Sequence, residues 1–291
     1  MPKNPIIVTG KHRIHLGDHD PRSTAGLKNK KTAKKERKEL AREIGLLQET
    51  LFSQKTYAVL VIFHGTDTSG KSSTMGYVFC DVHTAGFEVT SFKAPSSEEL
   101  DHDYLWRCVK NLPRRGHIGA FDRSYYEELS VVRVHPELLL KQRIPSDVCA
   151  RNIWKARFKE IRNFERYLTQ NGIVVIKFYL NVSKDEQGKR LRKRLFKRKK
   201  NCKFSAGDIG ERKYWDNYQR ANEDMINHTS TPSSPWYILP ADRKWVTRAL
   251  AAKIVARRVR ALHSHYPVMS RKERVKNLGL LQKVLREEKK K

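Results

Sequence analysis

Gly65 and the run Gly70-Lys71-Ser72 bracket four small or acidic residues, Thr66-Asp67-Thr68-Ser69, in the pattern Gly-x-x-x-x-Gly-Lys-Ser. At this spacing consecutive backbone N–H groups can turn inward onto phosphate oxygens, the lysine adds a mobile cation, and the serine hydroxyl can reach Mg²⁺. Thr66, Thr68, Ser69 and Ser73 complete the candidate phosphate-binding set around Gly65, Gly70, Lys71 and Ser72. A second element lies downstream in His117-Ile118-Gly119-Ala120-Phe121-Asp122-Arg123-Ser124. A short hydrophobic strand ending in Asp is what such a loop needs to hold Mg²⁺ beside phosphates, and Arg123 is placed to steady charge on a transferring phosphoryl group. Alone, Asp122-Arg123 would read as a solvated strand end; the Gly-rich loop upstream tips it toward chemistry. Asp67 puts a carboxylate inside the loop, where a metal must sit between two polyanions that otherwise repel. Asp67 and Asp122 are therefore the candidate metal residues. The reaction class is phosphoryl transfer by positioning and charge neutralisation, with no covalent intermediate on the enzyme.

Positioning these groups requires alternating strands and helices. Tyr57 to Phe63 reads as an apolar strand leading into the loop, and Ser73 to His83 as the helix after it. Phe87 to Phe92 and Ile118 to Asp122 are further strands. Ile173 to Leu180 is nearly continuous in apolar residues, as a doubly covered parallel strand should be. Trp236 to Leu239 is a last short strand. Helical patterning covers Lys28 to Ser53, where Leu40, Ile44, Leu47 and Leu51 form one stripe. A helix from the capping-box-like Ser96-Ser97-Glu98-Glu99 should reach about Asn111, and another should run from Ser146 to Gln170. Polar helices are expected over Lys184 to Lys200 and Gly207 to Asn227, and a closing helix over Lys244 to Leu262. The pattern predicts an α/β fold, a parallel sheet with helices on both faces and a helical insertion. The expected organisation is an extended arm over residues 1–27, a main domain over 28–267 with a basic helical lid at about 184–228, and a basic helical tail over 268–291.

Bulk properties narrow the partners. The 291 residues can bury a full core, and a hydrophobic content of 38% argues for a globular chain. No apolar run approaches the roughly 18 residues a membrane span needs, and the basic N-terminus has no apolar segment after it. Cys80, Cys108, Cys149 and Cys202 follow no metal-ligand spacing and read as reduced thiols, so a cytoplasmic protein with no membrane partner is expected. The formal net charge of +29 attracts polyanions. Much of it is concentrated: Lys28 to Arg42 carries eight Lys/Arg against two Glu, Lys189 to Lys203 carries ten with no acid, and Arg271 to Lys291 carries nine against three.

The residues resemble one family in particular, the type 2 polyphosphate kinases. The resemblance is carried by Leu16-Gly17-Asp18-His19-Asp20-Pro21, by the loop, and by Ser91-Phe92-Lys93-Ala94-Pro95-Ser96-Ser97-Glu98-Glu99-Leu100. It continues through Phe121-Asp122-Arg123-Ser124-Tyr125-Tyr126-Glu127, Val132-Arg133-Val134-His135-Pro136, Glu211-Arg212-Lys213 with Trp215-Asp216 and Tyr218, and Pro235-Trp236-Tyr237 with Pro240-Ala241-Asp242. It spans roughly residues 12–267 in order. It implies a P-loop kinase fold with a helical lid, and reversible Mg²⁺-dependent phosphoryl transfer between inorganic polyphosphate and nucleotides. The motifs look most like the subgroup that accepts nucleoside mono- and diphosphates. A homo-oligomer, dimer or tetramer, is implied as well.

On that resemblance Arg123 and Arg133 are expected to stabilise the transition state, and Arg190, Arg194, Lys203 and Arg212 to clamp polyphosphate from the lid. Lys93, with Glu98 or Glu99, would place the acceptor nucleotide, although the glutamates could equally be helix caps. Departures from the family pattern are Ser73 in place of a common Gly, Cys202 in place of a Trp, and Asp122 where many relatives have Asn. Two other readings compete. An ATP-dependent nucleotide kinase resembling thymidylate kinase shares the loop and the Asp-Arg pair but leaves the arm, the Trp-Tyr-x-x-Pro-Ala-Asp segment and the charge unexplained. A nucleic-acid-binding P-loop protein fits the charge but shows no nucleic-acid-reading motif, so no dedicated nucleic-acid site is expected.

Overall fold

The computed structural model describes residues 6–149 and 152–289. Six strands form one sheet in the order β1-β6-β5-β2-β4-β3. They are β1 (Ile6–Val8), β2 (Ala58–His64), β3 (Phe87–Ser91), β4 (Ile118–Asp122), β5 (Ile173–Asn181) and β6 (Trp236–Pro240). All pairings are parallel except that of β1, which runs antiparallel along β6 with Ile7 opposite Tyr237. β1 lies in the stretch expected to be an extended arm, where three residues are too few for a period to show.

The helices are α1 (Lys30–Gln54), α2 (Lys71–Val78), α3 (Ser97–Leu100), α4 (Trp106–Val109), α5 (Glu127–Val134), α6 (Ser146–Cys149) and α7 (Ile153–Gln170). After them come α8 (Lys184–Phe196), α9 (Arg198–Asn201), α10 (Gly207–Gly210), α11 (Trp215–Thr229), α12 (Lys244–Arg260) and α13 (Arg271–Glu288). None is long and apolar enough to cross a membrane.

Why β2 sits at the centre follows from its residues. Every position of β2 is buried, and alternate side chains enter opposite layers. Val59, Val61 and Phe63 join the cluster under α1, α2 and α12, whereas Leu60 and Ile62 join the cluster under α5, α7 and α11. Fully burying one such side chain is worth about 1.5–3 kcal/mol, so a doubly covered strand is the most firmly held part of the sheet. Its C-terminal end, between β4 and β5, is where a phosphate loop can be aimed without moving.

Four expected helices differ in detail, the Gly207–Asn227 stretch among them, which forms the single turn α10 and then α11 from Trp215. The Ser96–Asn111 stretch forms two short helices, α3 and α4, because Asp103 accepts from the Leu105 N–H and turns the chain between them. The Ser146–Gln170 stretch contains α6 and α7, with the Asn152 side chain accepting from Lys155 N to start the second. The first lid helix stops at Phe196 and resumes as the single turn α9. In the arm, Asn181 donates to His19 O at 2.7 Å and Glu223 accepts from Leu16 N at 2.7 Å, tying the segment across the sheet. Cys80, Cys108 and Cys202 are free thiols; the Cys149 side chain lies outside those described.

One residue breaks the apolar run of β5. Lys177, in the middle of the strand, is fully buried and donates to Glu165 Oε2 at 2.6 Å, to the Tyr126 hydroxyl at 2.9 Å and to Thr229 O at 2.9 Å. Glu165 also accepts from the hydroxyls of Tyr125, Tyr126 and Ser234. Burial pushes the Lys177 ammonium down and its partner's charge pulls it back. This pair fixes the two tyrosines that follow Asp122-Arg123-Ser124.

Candidate active site

The loop between β2 and α2 holds itself in an unusual backbone shape. Gly65 has φ 142°, and a Cβ there would lie 2.9 Å from Leu180 O on the neighbouring strand, so only glycine fits. Gly70 has φ 110°, and Thr68 occupies the left-handed region at φ 63°. The Lys71 ammonium donates to Gly65 O at 2.7 Å and to Thr66 O at 3.3 Å. Thr66 Oγ1, Thr68 Oγ1 and Ser69 Oγ are buried without a hydrogen-bond partner among the described residues, donors that phosphate oxygens would satisfy.

A second pair forms between α2 and the end of β4. Ser72, in the first turn of α2, donates its hydroxyl to Asp122 Oδ2 at the end of β4. Beside it Arg123 takes the left-handed region at φ 68°, which turns its guanidinium back over the loop to donate to Asp67 Oδ1 at 2.9 Å. Burial works to raise the Asp67 carboxyl pKa, but the Lys71 and Arg123 charges outweigh it and hold it below the usual carboxylate range. Four residues after Arg123, burial raises Glu127 despite the nearby Arg123 and Lys71 cations. His64 closes the back of the site: its Nε2 lies 3.0 Å from Asn222 Oδ1 on α11 and its Nδ1 3.5 Å from Glu127 Oε1. Burial, reinforced by the Lys71 charge, pushes His64 down to about 3, so its ring is neutral.

These groups open onto a cavity of about 460 Å³. Its wall includes Asp67, Arg123 and Glu127 on the loop side, Lys93 and Glu99 on the β3–α3 side, and Trp215 and Tyr218 of α11. Lys93 and Glu99 thus reach the same space as the loop. Glu99 also completes a capping box with Ser96 and accepts from Arg107 Nη1 at 3.0 Å. Glu98 is exposed, 3.9 Å from Lys110, and is not part of the wall.

The arginines and lysines expected to act on phosphates fall into separate positions. Arg194 of α8 donates to Asp208 Oδ2 at 2.8 Å and lies near enough to Asp67 to help lower its pKa, so it faces the loop. Lys203 is exposed beyond α9. Arg212 is laid against α8, donating to Gln187 Oε1 at 2.6 Å and Lys184 O at 3.0 Å. Arg190 is only 7% exposed and its guanidinium is filled by protein. It donates to Thr68 O at 3.0 Å, Ser69 O at 2.8 Å and Ala241 O at 2.6 Å, and to Glu186. That is a brace beneath the loop, not a free cation on the lid. Arg133 is not brought to the loop: its guanidinium donates to Asp224 Oδ2 at 2.6 Å and lies over Phe158. Six residues separate it from Glu127, roughly 240° round α5, which turns it to another face.

Sequence reasoning missed His64, Asn222 and Glu128. Glu128 is buried against Arg157 at 3.0 Å on the cavity wall. His64 is the last residue of the apolar β2 run, directly before Gly65, and its polarity there was the available signal. Asn222 and Arg157 carry no local signal; only the fold brings them in.

The comparisons agree with this geometry. The sequence profile described as "Polyphosphate kinase 2 (PPK2)" matches residues 27–266. An ADP-polyphosphate phosphotransferase of Rhodopseudomonas palustris is 42% identical over 241 residues, covering 82% of this chain and 83% of that protein. An AMP/ADP-polyphosphate phosphotransferase of Meiothermus ruber is 39% identical over 256 residues, covering 88% and 92%. The crystal structure of polyphosphate kinase 2 from Arthrobacter aurescens TC1 is similar with a TM-score of 0.84 and 31% identity, covering 96% of this chain and 99% of that one. A profile match over residues 27–266, relatives 42% and 39% identical along most of their length, and a solved structure similar over nearly the whole chain leave one conclusion: the chain belongs to the polyphosphate kinase 2 family.

Proposed function

We propose that this chain transfers phosphoryl groups between inorganic polyphosphate and nucleotides, making ATP from ADP and ADP from AMP. One observation carries the reading: the Asp67–Arg123 pair lines a cavity of about 460 Å³, and the Ser72–Asp122 pair joins the residues next to Lys71 and Arg123 in the chain. The relatives named for both ADP and AMP support the two acceptors.

The reaction needs in-line approach and compensation of charge on the equatorial oxygens. Lys71 and the loop amides hold the phosphoryl being transferred. Arg123, anchored by Asp67, leans over the same point from the cavity side, so it meets charge that grows as transfer proceeds. Lys93, on the cavity wall, orients the acceptor's phosphates. The acceptor oxygen is already a competent nucleophile, so no side chain has to remove a proton from a hydroxyl.

The residues fit Mg²⁺. Ser72 Oγ and Asp122 Oδ2 are hard oxygen donors already in contact, and Mg²⁺ takes one or two protein ligands with phosphates and water completing its shell. When bound there it would neutralise phosphate oxygens; Asp67 would orient its water ligands.

The test is nucleotide formation from ADP, and separately from AMP, with Mg²⁺ and long-chain polyphosphate as the only donor. ATP from ADP and ADP from AMP are the expected products. ADP turnover alone would remove AMP as an acceptor. Activity only with ATP plus a nucleoside monophosphate would replace this reading with an ordinary nucleotide kinase.

A further inference from the structure

A group of cations gathers on the side of the phosphate loop away from the cavity, and the reaction site does not use it. Lys244 opens α12, and Arg248 follows one turn later on the same face. Arg248 Nη2 donates to Ser73 Oγ at 2.6 Å, and its guanidinium lies 3.7 Å over the exposed Tyr77 ring. This joins the start of α12 to the first turn of α2, next to Ser72 and Lys71.

The arrangement is repulsive as it stands. Lys244 is half-buried, with Arg190, Lys200 and Arg248 as charged neighbours and Glu186 opposing them. Glu186 is already bonded to Arg190 Nε at 2.8 Å. Burial and those cations push the Lys244 ammonium down to about 8. Its position in the first turn of α12 sets it against the positive end of the helix dipole, and no side chain caps that terminus. The Arg248 Nε is buried with no hydrogen-bond partner among the described residues. Packing alone would favour an acid or an apolar residue at these positions; a polyanion would relieve each of the costs at once.

We propose that Ser73, Lys244 and Arg248 form a ledge that binds phosphate units of the polyphosphate donor beyond the one held in the loop. The inference rests on the proposed function and adds to it a route: the donor leaves the loop over α2 toward α12, with Lys200 next along it. Of the cations that the resemblance assigns to the donor, Arg190 is buried and Arg212 is bonded to α8, whereas Arg194 faces the loop and Lys203 is exposed, so the ledge adds to these two rather than replacing them.

A ledge beyond the loop is felt only by a donor long enough to reach it. Lys244→Ala, Arg248→Ala and Arg248→Lys are compared with the unaltered full chain, using ADP with long-chain polyphosphate or with tripolyphosphate. The alanine variants are expected to raise KM for the long chain about tenfold, the loss typical of one charge-assisted contact. The rise for tripolyphosphate should be several times smaller, and KM for ADP should not follow it. Arg248→Lys, keeping the charge, should recover part of the loss. Equal losses for both donors, or losses that track the melting temperature, would overturn the ledge. Direct titration of labelled polyphosphate separates this outcome from failure of the proposed function. Weaker binding to Lys244→Ala upholds the ledge even in a protein that proves unable to turn polyphosphate over. Unchanged binding to both alanine variants removes it even in an active kinase.

Discussion

Asp67 stands between two cations, Lys71 and Arg123, and its ionised form is what keeps Arg123 turned over the loop. Replacing it with asparagine keeps the shape and removes the charge. Asp67→Asn should leave the melting temperature within a few degrees and lower turnover by about 10²–10³, the size seen when one preorganised electrostatic contact is lost. Near-normal activity of that variant would show that Arg123 needs no anchor. Lys177 offers the opposite experiment, because it touches no cavity. Lys177→Met strands the Glu165 carboxylate in a dry interior and should cost about 3–5 kcal/mol in urea unfolding. A loss under about 1 kcal/mol would mean that water or the three hydroxyls around Glu165 can carry its charge alone.

Among the elements, α8 decides how the basic lid is to be understood. Arg190 and Arg194 are one turn apart, yet one braces Thr68 and Ser69 while the other faces the loop beside Asp208. Arg190→Ala should therefore lower the melting temperature and weaken both substrates. Arg194→Ala should raise KM for polyphosphate more than for ADP, with little effect on melting. Equal effects of the two substitutions would remove the distinction. This is also where the sequence stopped being informative. The β2–loop–α2 unit was legible because a continuous apolar run, two glycines and a lysine are all local. The Asp122-Arg123 pair was legible for the same reason. Arg190 looked like any cation of a basic helix, since what absorbs it are carbonyls 122 and 121 residues earlier in the chain. Arg133 was misplaced in the same way: its motif was visible, but the face of α5 that it occupies depends on Asp224.

At the scale of the whole molecule, the +29 charge is unevenly employed. Lys244 gives it a measurable pH dependence. Its folded pKa of about 8 lies below the ordinary 10.5, so the unfolded chain holds the proton over a wider range. Without a ligand, stability should rise as pH passes from about 8 to about 10.5, while below about 8 the charged ammonium carries its full penalty. Polyphosphate relieves that penalty, so the rise in melting temperature it produces should be larger near pH 7 than near pH 9.5. Lys244→Met should flatten the difference; an unchanged difference would place the titration elsewhere. The helix α13 is exposed along its entire length, including Val275, Leu278, Leu281 and Leu285. Truncation after Pro267 should leave the melting temperature of the remaining chain unaltered, and a clear drop would show that the apolar stripe is covered in solution.

Thr68 and Arg123 each hold a left-handed backbone that their side chains disfavour, at about 1–2 kcal/mol apiece. A directed-evolution campaign scored on heat resistance alone would be drawn to glycine at both positions. At Arg123 every such winner would survive the heating step and fail the assay, so the two scores must be selected together.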